Sequence, residues 1–492
     1  MRLIRFVTWL GIYLFAAFMV GGVLAEGEAL REFTSQKGQK IRARVENLQG
    51  GKVTIIREDG QKFTLPVTAL SAADQAWLAA WKPTAAVVPG TSAEANVTVT
   101  TAQINEVLGQ PLFVEESLFQ ADIAATAQRL GWKQESQTKF SSSFRSYPDE
   151  NYRFLNARPY SAALYGEDSK VTTLSLVFAN KGDFFGAAGS GEKHFEKEKA
   201  IGGIEGLRAA MAKEAKAIED CLTKVLGEPS RQKFGEGESR HNVSRWDWKE
   251  HSFLLSSVDD EYVGLQIVPL QFAEDRGKAS RVSDSTVRDR VRGSLEKRSN
   301  GDVYIADIPM VDQGPKGYCV PATCERAMRW MGLSADMYLL AMVGESGLGG
   351  GTSFDTLFGN VGRDIKRKGR SFETIRGDLK MRTVKKFIDQ GIPMIWGMFS
   401  TKEFNELAND RTTKRKEISD WAAWTKQLDA EVKGKTLPPD TNRAHATLIV
   451  GYNEETNELC FSDSWGERYL ERWVRLEEAE MVSQDVVYVV DF

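Results

Sequence analysis

Apolar and polar positions first alternate regularly between Lys40 and Glu46, where Ile41, Ala43 and Val45 share one face. Period-two alternation marks a half-buried strand. Gly50-Gly51 interrupts the pattern and Val53 to Arg57 resumes it; Asp59-Gly60 supplies a hairpin turn before a third strand from Lys62 to Pro66. Ser71 and Asp74 have the spacing of a capping box ahead of a helix from Gln75 to Trp81. The pattern predicts a compact unit over residues 29–82, a small barrel closed by a short helix, with Trp77 and Trp81 packed against it. Residues 83–101, rich in Pro, Ala, Thr and Ser without periodicity, read as a linker.

From residue 102 to 272 the periods mix, which predicts an α+β domain. Leu118 to Leu130 and Glu205 to Leu226 are helical, the second ended by Gly227 and Pro229. Val171 to Ala179 alternates as a strand, and Trp246–Lys249, Ser252–Ser257 and Tyr262–Leu270 read as antiparallel strands on short turns. His194, His241 and His251 are scattered and read as surface or structural histidines, and Cys221 as a core residue. No chemistry emerges here. Residues 273–302 are charged and poor in large apolar groups, which predicts a linker or short surface helix, or an accessible hinge before the last domain, residues 303–492.

Composition narrows the classes. A chain of 492 residues exceeds one ordinary core, so two to four domains are expected. A net charge of −4 without basic clustering argues against a nucleic-acid binder. Four cysteines with no CxxC pair make neither a disulfide scaffold nor a zinc site, and no metal or other cofactor is expected. Arg2 and Arg5 precede an apolar run from Phe6 to Ala25, and Val23-Leu24-Ala25 fits signal-peptidase preference. Residues 1–25 therefore read as a signal peptide, or as an uncleaved anchor given the run's length. Either way the rest of the chain is expected outside the cytoplasm, secreted or periplasmic, with a membrane partner only if the segment stays uncleaved.

The candidate chemistry lies in the last domain. Gly314-Pro315 and Gly317 make a tight loop, and Pro321 suits a helix's first turn, which puts Cys319 at or just before a helix N-terminus. The exposed N–H groups and dipole there favour a thiolate. Such a nucleophile needs a base, and His445 is the only histidine after Cys319. It stands in an apolar strand-like stretch, and the chain returns after a turn at Asn453–Asn457 to bring Asp463 back beside it, where a carboxylate can orient the imidazole. Gln313, six residues before Cys319, offers an amide N–H that could join the Cys319 backbone N–H in an oxyanion hole. Between Phe399 and Arg443 lies a charged helix-prone insert, either lining the cleft or forming a solvated excursion. Gly349-Gly350-Gly351 lacks a P-loop lysine and reads as a flexible turn before a helix capped by Thr352 or Ser353.

Two resemblances follow from these stretches. The run from Phe33 to Trp81 resembles the SH3-like Sla-homology domain of secreted bacterial proteins, which implies a binding or spacer module with a protein ligand. "DQGPKGYCVPA" and "HATLIVGYN…FSDSWG" resemble the papain-like cysteine peptidases over about residues 303–492. Asp463 stands where papain has Asn, as in the relatives that process double-glycine leaders. The resemblance implies Gln313 in the oxyanion hole, Cys319 as nucleophile, His445 as base, Asp463 as orienter and Trp465 as a shield over the His–Asp pair. It departs from papain in Val320 and Pro321 after the cysteine and in lacking papain's cysteine pairs, although Cys324 and Cys460 could bridge. The implied fold class is α+β and multidomain: a small SH3-like β-barrel, an α+β middle domain and a papain-like α+β C-terminal domain. The implied function is a cysteine peptidase acting on a protein or peptide substrate. An amidase or acyl transferase with the same site, or a non-catalytic binding scaffold, stays open. So does a pro-region role for residues 26–302, under which a fragment from about residue 303 would be the more active form.

Overall fold

The structure, a computed structural model, describes residues 30–36, 38–49, 52–57, 62–81, 99–115, 117–186, 193–278 and 282–492. The expected signal peptide over 1–25 and most of the expected linker over 83–101 lie outside the described residues. The chain divides into two compact units, Met1–Val97 and Thr98–Phe492.

In the first unit β1 (Arg31–Thr34), β2 (Lys40–Gln49), β3 (Lys52–Arg57) and β4 (Lys62–Pro66) pair antiparallel in sequence order. Their alternation puts Phe33, Ala43, Val45, Val53 and Ile55 into one core with Leu70 and Leu78. Ser71 caps the helix Ala72–Ala80 by accepting from the Asp74 N–H. Asp74 also pairs with Arg31 at 3.0 Å, which ties the helix to β1, a strand the alternation did not reveal. Trp77 and Trp81 pack against this core.

The second unit holds two large antiparallel-built layers. The middle sheet contains β5 (Lys133–Gln137), β6 (Ser141–Ser146), β7 (Ser161–Glu167), β8 (Lys170–Asn180), β9 (Ser230–Phe234), β10 (His241–Trp248), β11 (His251–Val258) and β12 (Tyr262–Pro269). Their order is β5-β6-β7-β8-β12-β11-β10-β9. The helix Gly203–Leu226 covers one face, burying Leu207, Ala210, Met211, Ile218 and Leu222 at helical spacing. Leu118–Leu130 is not one helix: a 3-10 turn, Leu118–Gln120, precedes the helix Ile123–Leu130, which Asp122 caps. His251 is buried and accepts the Leu118 N–H at 3.0 Å, and His241 bridges Ser239 and Ser256.

The third sheet comprises β13 (Leu295–Lys297), β14 (Asp302–Ile305), β15 (Ser371–Arg376), β16 (Met394–Phe399), β17 (Ala444–Asn453), β18 (Glu458–Ser462), β19 (Arg472–Arg475) and β20 (Ser483–Asp491). Its path is β13-β14-β17-β16-β20-β15, with β18 bridging β17 and β19. Residues 273–302, expected as a linker, supply part of this layer. Helix Asp284–Ser294 buries Val287 and Val291 in the same core as β16 and β17, and β13 and β14 extend the sheet. A third apolar cluster joins Val177 of the middle sheet to Val311, Tyr318, Ala322, Met337, Tyr338 and Ala341. The middle and last domains read from the sequence are thus one compact unit with a shared interior.

Candidate active site

Cys319 is the first residue of the helix Cys319–Trp330, and Pro321 sits in its first turn. The helix is buried along Ala327, Trp330 and Met331, with Trp330 Nε1 donating to the Gly391 carbonyl at 2.9 Å. Packing therefore holds the half-buried thiol where the dipole favours its anion. The helix lies on β17, where Thr323 Oγ1 donates to the Ala446 carbonyl at 3.1 Å. His445 precedes Ala446 and hydrogen-bonds the Cys319 thiol.

The β17–β18 hairpin pairs Leu448 with Ser462, so the next residue, Asp463, returns to the start of β17. Asp463 Oδ1 lies 2.8 Å from His445 Nε2, with both side chains buried. The imidazole's other nitrogen is left to the thiol. Trp465 stacks on the imidazole, ring centroids 4.7 Å apart at 27°, and shields the pair.

Arg472 on β19 is a member of the site that the sequence did not disclose. Its Nη1 donates to Asp463 Oδ2 at 2.5 Å, and its Nη2 donates to the backbone and side-chain oxygens of Asn405, each at 3.0 Å. Asn405 belongs to the helix Lys402–Arg415, in the insert between Phe399 and Arg443. The insert is not a loose excursion. It buries Phe404, Ala408, Trp424 and Leu428 and pairs Arg411 with Glu478 and Arg415 with Glu458. It stands behind the carboxylate that orients the histidine. Arg326, buried one turn below Thr323, ties the Cys319 helix to the Ser462 carbonyl and to Pro309.

Three linked titrations result. Burial raises the Cys319 thiol, but the His445 hydrogen bond and charge, with the backbone N–H groups of Ala446 on β17 and Val320 at the helix start, outweigh it, so its pKa falls below the ordinary value. Burial lowers His445, while Asp463 and the Cys319 sulfur together lift it to about 9. Burial raises Asp463, but His445 and Arg472 bring it below the usual carboxylate range. All three shifts favour the charged forms, thiolate, imidazolium and carboxylate, over their neutral counterparts.

Gln313 is buried, and its backbone N–H donates to the Ser464 carbonyl at 2.9 Å, which places this loop beside Asp463 and Trp465. Its Nε2 donates to the Lys316 carbonyl at 3.0 Å and keeps a second N–H. The glycine run is not a flexible turn. Gly350 bridges Gly317 in parallel, and Gly351 N–H donates to the Gly317 carbonyl at 3.0 Å. Ser353 caps the following helix, Phe354–Arg367. Cys324 and Cys460 are both free and buried, so the bridge considered for them is not formed. Asp378, Glu480 and Asp485 place carboxylate oxygens within 4.8 Å of one another, but two are exposed and Glu480 is engaged by the Leu379 N–H, so they read as solvated surface.

Residues 305–485 match the model of the Peptidase_C39 like family. This stretch begins at the end of β14 and includes Gln313, Cys319, His445, Asp463 and Trp465. Among solved structures the chain is similar to the peptidase domain of Streptococcus ComA, a bifunctional ABC transporter of a quorum-sensing pathway. The identity is 13%, with 37% of this chain and 96% of that one covered and a TM-score of 0.24. No curated protein gives a significant match. The family match supports a papain-like cysteine peptidase region within a mixed α and β protein.

Proposed function

We propose that the chain is a cysteine peptidase whose nucleophile is Cys319, with His445 as acid and base, Asp463 as orienter and Gln313 with the Cys319 N–H as the oxyanion hole. The observation that carries this reading is the unbroken line from the thiol at a helix start, through His445, to the buried Asp463 at 2.8 Å. The Cys319 sulfur attacks the peptide carbonyl carbon and the C=O electron pair moves to oxygen, where the two N–H donors receive it. The carbon–nitrogen bond then breaks as the His445 imidazolium gives its proton to the leaving amine. Water, deprotonated by the neutral imidazole, attacks the thioester carbon; the carbon–sulfur bond breaks, the acid product leaves and the Cys319 thiolate with the His445 imidazolium is restored. The substrate class is protein or peptide, in keeping with the peptidase family match.

The first unit, on this reading, is an SH3-like module that binds a protein ligand or spaces the enzyme. Residues 1–25 direct the rest of the chain out of the cytoplasm. Among the described residues no helix is long and apolar enough to cross a membrane.

The test is intact-mass and peptide-mapping analysis after a thiol-directed epoxide, beside the Cys319→Ala and His445→Ala proteins. Labelling confined to Cys319 and lost in His445→Ala is the expected result. No labelling of Cys319 in the wild-type chain would leave the domain a scaffold.

A further inference from the structure

The segment from Met310 to Tyr318 carries one oxyanion donor, Gln313, and leads directly into the other, the Cys319 N–H. In a free-standing site such a loop is held by its own domain. Here much of the holding comes from the middle sheet. Met310 N–H donates to Ser136 Oγ at 3.0 Å. Asp312 N–H donates to Glu135 Oε1 at 2.8 Å, and Tyr147 Oη donates to the Asp312 carbonyl at 3.0 Å. Both polar groups of the peptide residue before Gln313 are therefore clamped from β5 and the end of β6. Tyr318 Oη accepts the Gly182 N–H at 3.2 Å.

Between these anchors lies Lys316, whose side chain is fully buried. Its Nζ is 3.5 Å from Asp183 Oδ1, equally buried and also contributed by the middle domain, and burial shifts both groups toward their neutral forms. Tyr147, Tyr160, Tyr318 and Tyr338 surround it, their ring centroids 5.1–5.9 Å from Nζ. A lysine pointing inward from a loop needs such a receptor, because an unpaired buried charge is costly. Glu135 is itself set by buried partners: Arg145 Nε at 2.5 Å and Ser143 Oγ at 2.9 Å. On the middle-sheet side the clamp is thus held by hydrogen bonds among buried groups.

We infer that the middle sheet is a positioning part of the enzyme: Glu135, Tyr147 and Asp183 hold residues 312–318 so that Gln313 and the Cys319 N–H converge on the oxyanion. These three residues touch no substrate and act through the loop. The inference rests on the peptidase reading above, and it assigns residues 102–272 a role opposite to that of a removable pro-region.

The test uses the full chain and two small reagents that attack the same sulfur. Iodoacetamide alkylates the thiolate by displacement of iodide at a saturated carbon, with no oxyanion. 4-Nitrophenyl acetate acylates the thiolate through a tetrahedral oxyanion, then releases 4-nitrophenolate and leaves the acetyl thioester. The ratio of the two rates at Cys319, followed by peptide mapping, isolates the oxyanion hole from the thiolate. Gln313→Ala sets the scale of a lost donor. Tyr147→Phe removes one hydroxyl from a partly exposed ring and is expected to leave alkylation within twofold while lowering the acylation-to-alkylation ratio at least fivefold. Glu135→Gln is expected to lower the ratio further. General structural damage would slow both reactions together. A fall of less than fivefold in the Tyr147→Phe ratio, with Gln313→Ala showing its drop, overturns the inference and leaves the peptidase reading intact. Alkylation of wild-type Cys319 no faster than in His445→Ala overturns both.

Discussion

Arg472 and Asp463 are joined by a buried hydrogen-bonded ion pair at 2.5 Å, on the carboxylate oxygen that His445 does not use. Each oxygen of Asp463 thus has a cationic or proton-donating partner, so a charge that burial would otherwise neutralise stays ionised. Removing one member of a buried pair leaves the other uncompensated. Arg472→Met is expected to destabilise the second unit by about 3–5 kcal/mol. Asn405→Ala, which removes only one of the two oxygens that hold Arg472 Nη2, is expected to cost about 1 kcal/mol. Urea unfolding followed by tryptophan fluorescence separates the two. An Arg472→Met midpoint equal to the wild type would refute the role given to the pair.

The dyad also dictates a pH profile. With the thiol below its ordinary value and His445 at about 9, the thiolate–imidazolium state spans the range between them. Peptide hydrolysis is expected to rise as pH passes upward through the lowered thiol value and to fall as the imidazolium loses its proton near pH 9. Iodoacetamide alkylation needs only the thiolate and should not fall on that upper limb. The sign for stability is the same. A histidine raised from about 6.5 contributes stability that is complete below that value and lost as pH climbs through about 9. Asp463→Asn removes the carboxylate that supports the imidazolium, so the upper limb should move toward acid. Coincident upper limbs for hydrolysis and alkylation would count against His445 as the proton donor.

Much of this site is legible from the chain, because its chemistry is local. Cys319 is marked by Gly314, Pro315, Gly317 and Pro321, and His445 by being a lone polar ring in an apolar strand. Asp463 is marked by a hairpin whose turn, Asn453–Asn457, sets the return distance. Arg472 is hidden for the converse reason: in "ERWVR" it looks like any alternating surface arginine, and only the packing of Asn405 and β19 shows it to be buried. The strands β5 and β6, "KQESQ" and "SSSFRS", carry little apolar signal. Their buried Glu135, Ser136, Ser143 and Arg145 face polar partners at the loop interface instead of an oily core. Residues 284–305 are hidden likewise. Two valines, Val287 and Val291, anchor a helix whose other positions are charged or small.

Gly350 tests the loop contact from its other side. Its φ of 112° is one that side-chain-bearing residues rarely adopt, and a Cβ there would lie 2.4 Å from Gly317 Cα. Both objections are to backbone and cannot be relieved by a rotamer change. Gly350→Ala is therefore expected to cost about 1–3 kcal/mol in backbone strain alone. It should also push Gly317, and with it the path from Gln313 to Cys319. The expected result is a lower urea midpoint together with slower acylation by 4-nitrophenyl acetate. Gly351→Ala, where a Cβ meets nothing within 4 Å, isolates the strain of its φ of 81° from the clash and should be milder. Equal effects at the two positions would mean that the Gly317 contact is not what matters.

The stretch before Asp302 is built into the core of the second unit. If residues 273–302 were a dispensable hinge, a fragment beginning near residue 303 would fold and act at least as well as the whole chain. The structure argues otherwise on three counts. Val287 and Val291 are buried in the core that also holds Met394, Trp396 and Leu448. Arg290 donates to the carbonyls of Arg329 and Trp330 at the C-terminal end of the Cys319 helix. Asp302 accepts from Arg415 at 2.5 Å and from Asn453 at 2.8 Å, joining the insert to β17. Cutting at 303 removes all three supports and also exposes the Tyr318–Tyr338 cluster against Val177. The fragment is expected to be poorly soluble, to unfold without cooperativity and to label weakly at Cys319. Within the full chain, Val287→Asp places an unpaired charge in the core and is expected to lower stability by several kcal/mol. Limited proteolysis of the native chain should spare residues 284–305. Ready cleavage there, with Cys319 reactivity retained in the released C-terminal piece, would return the segment to the status of a hinge.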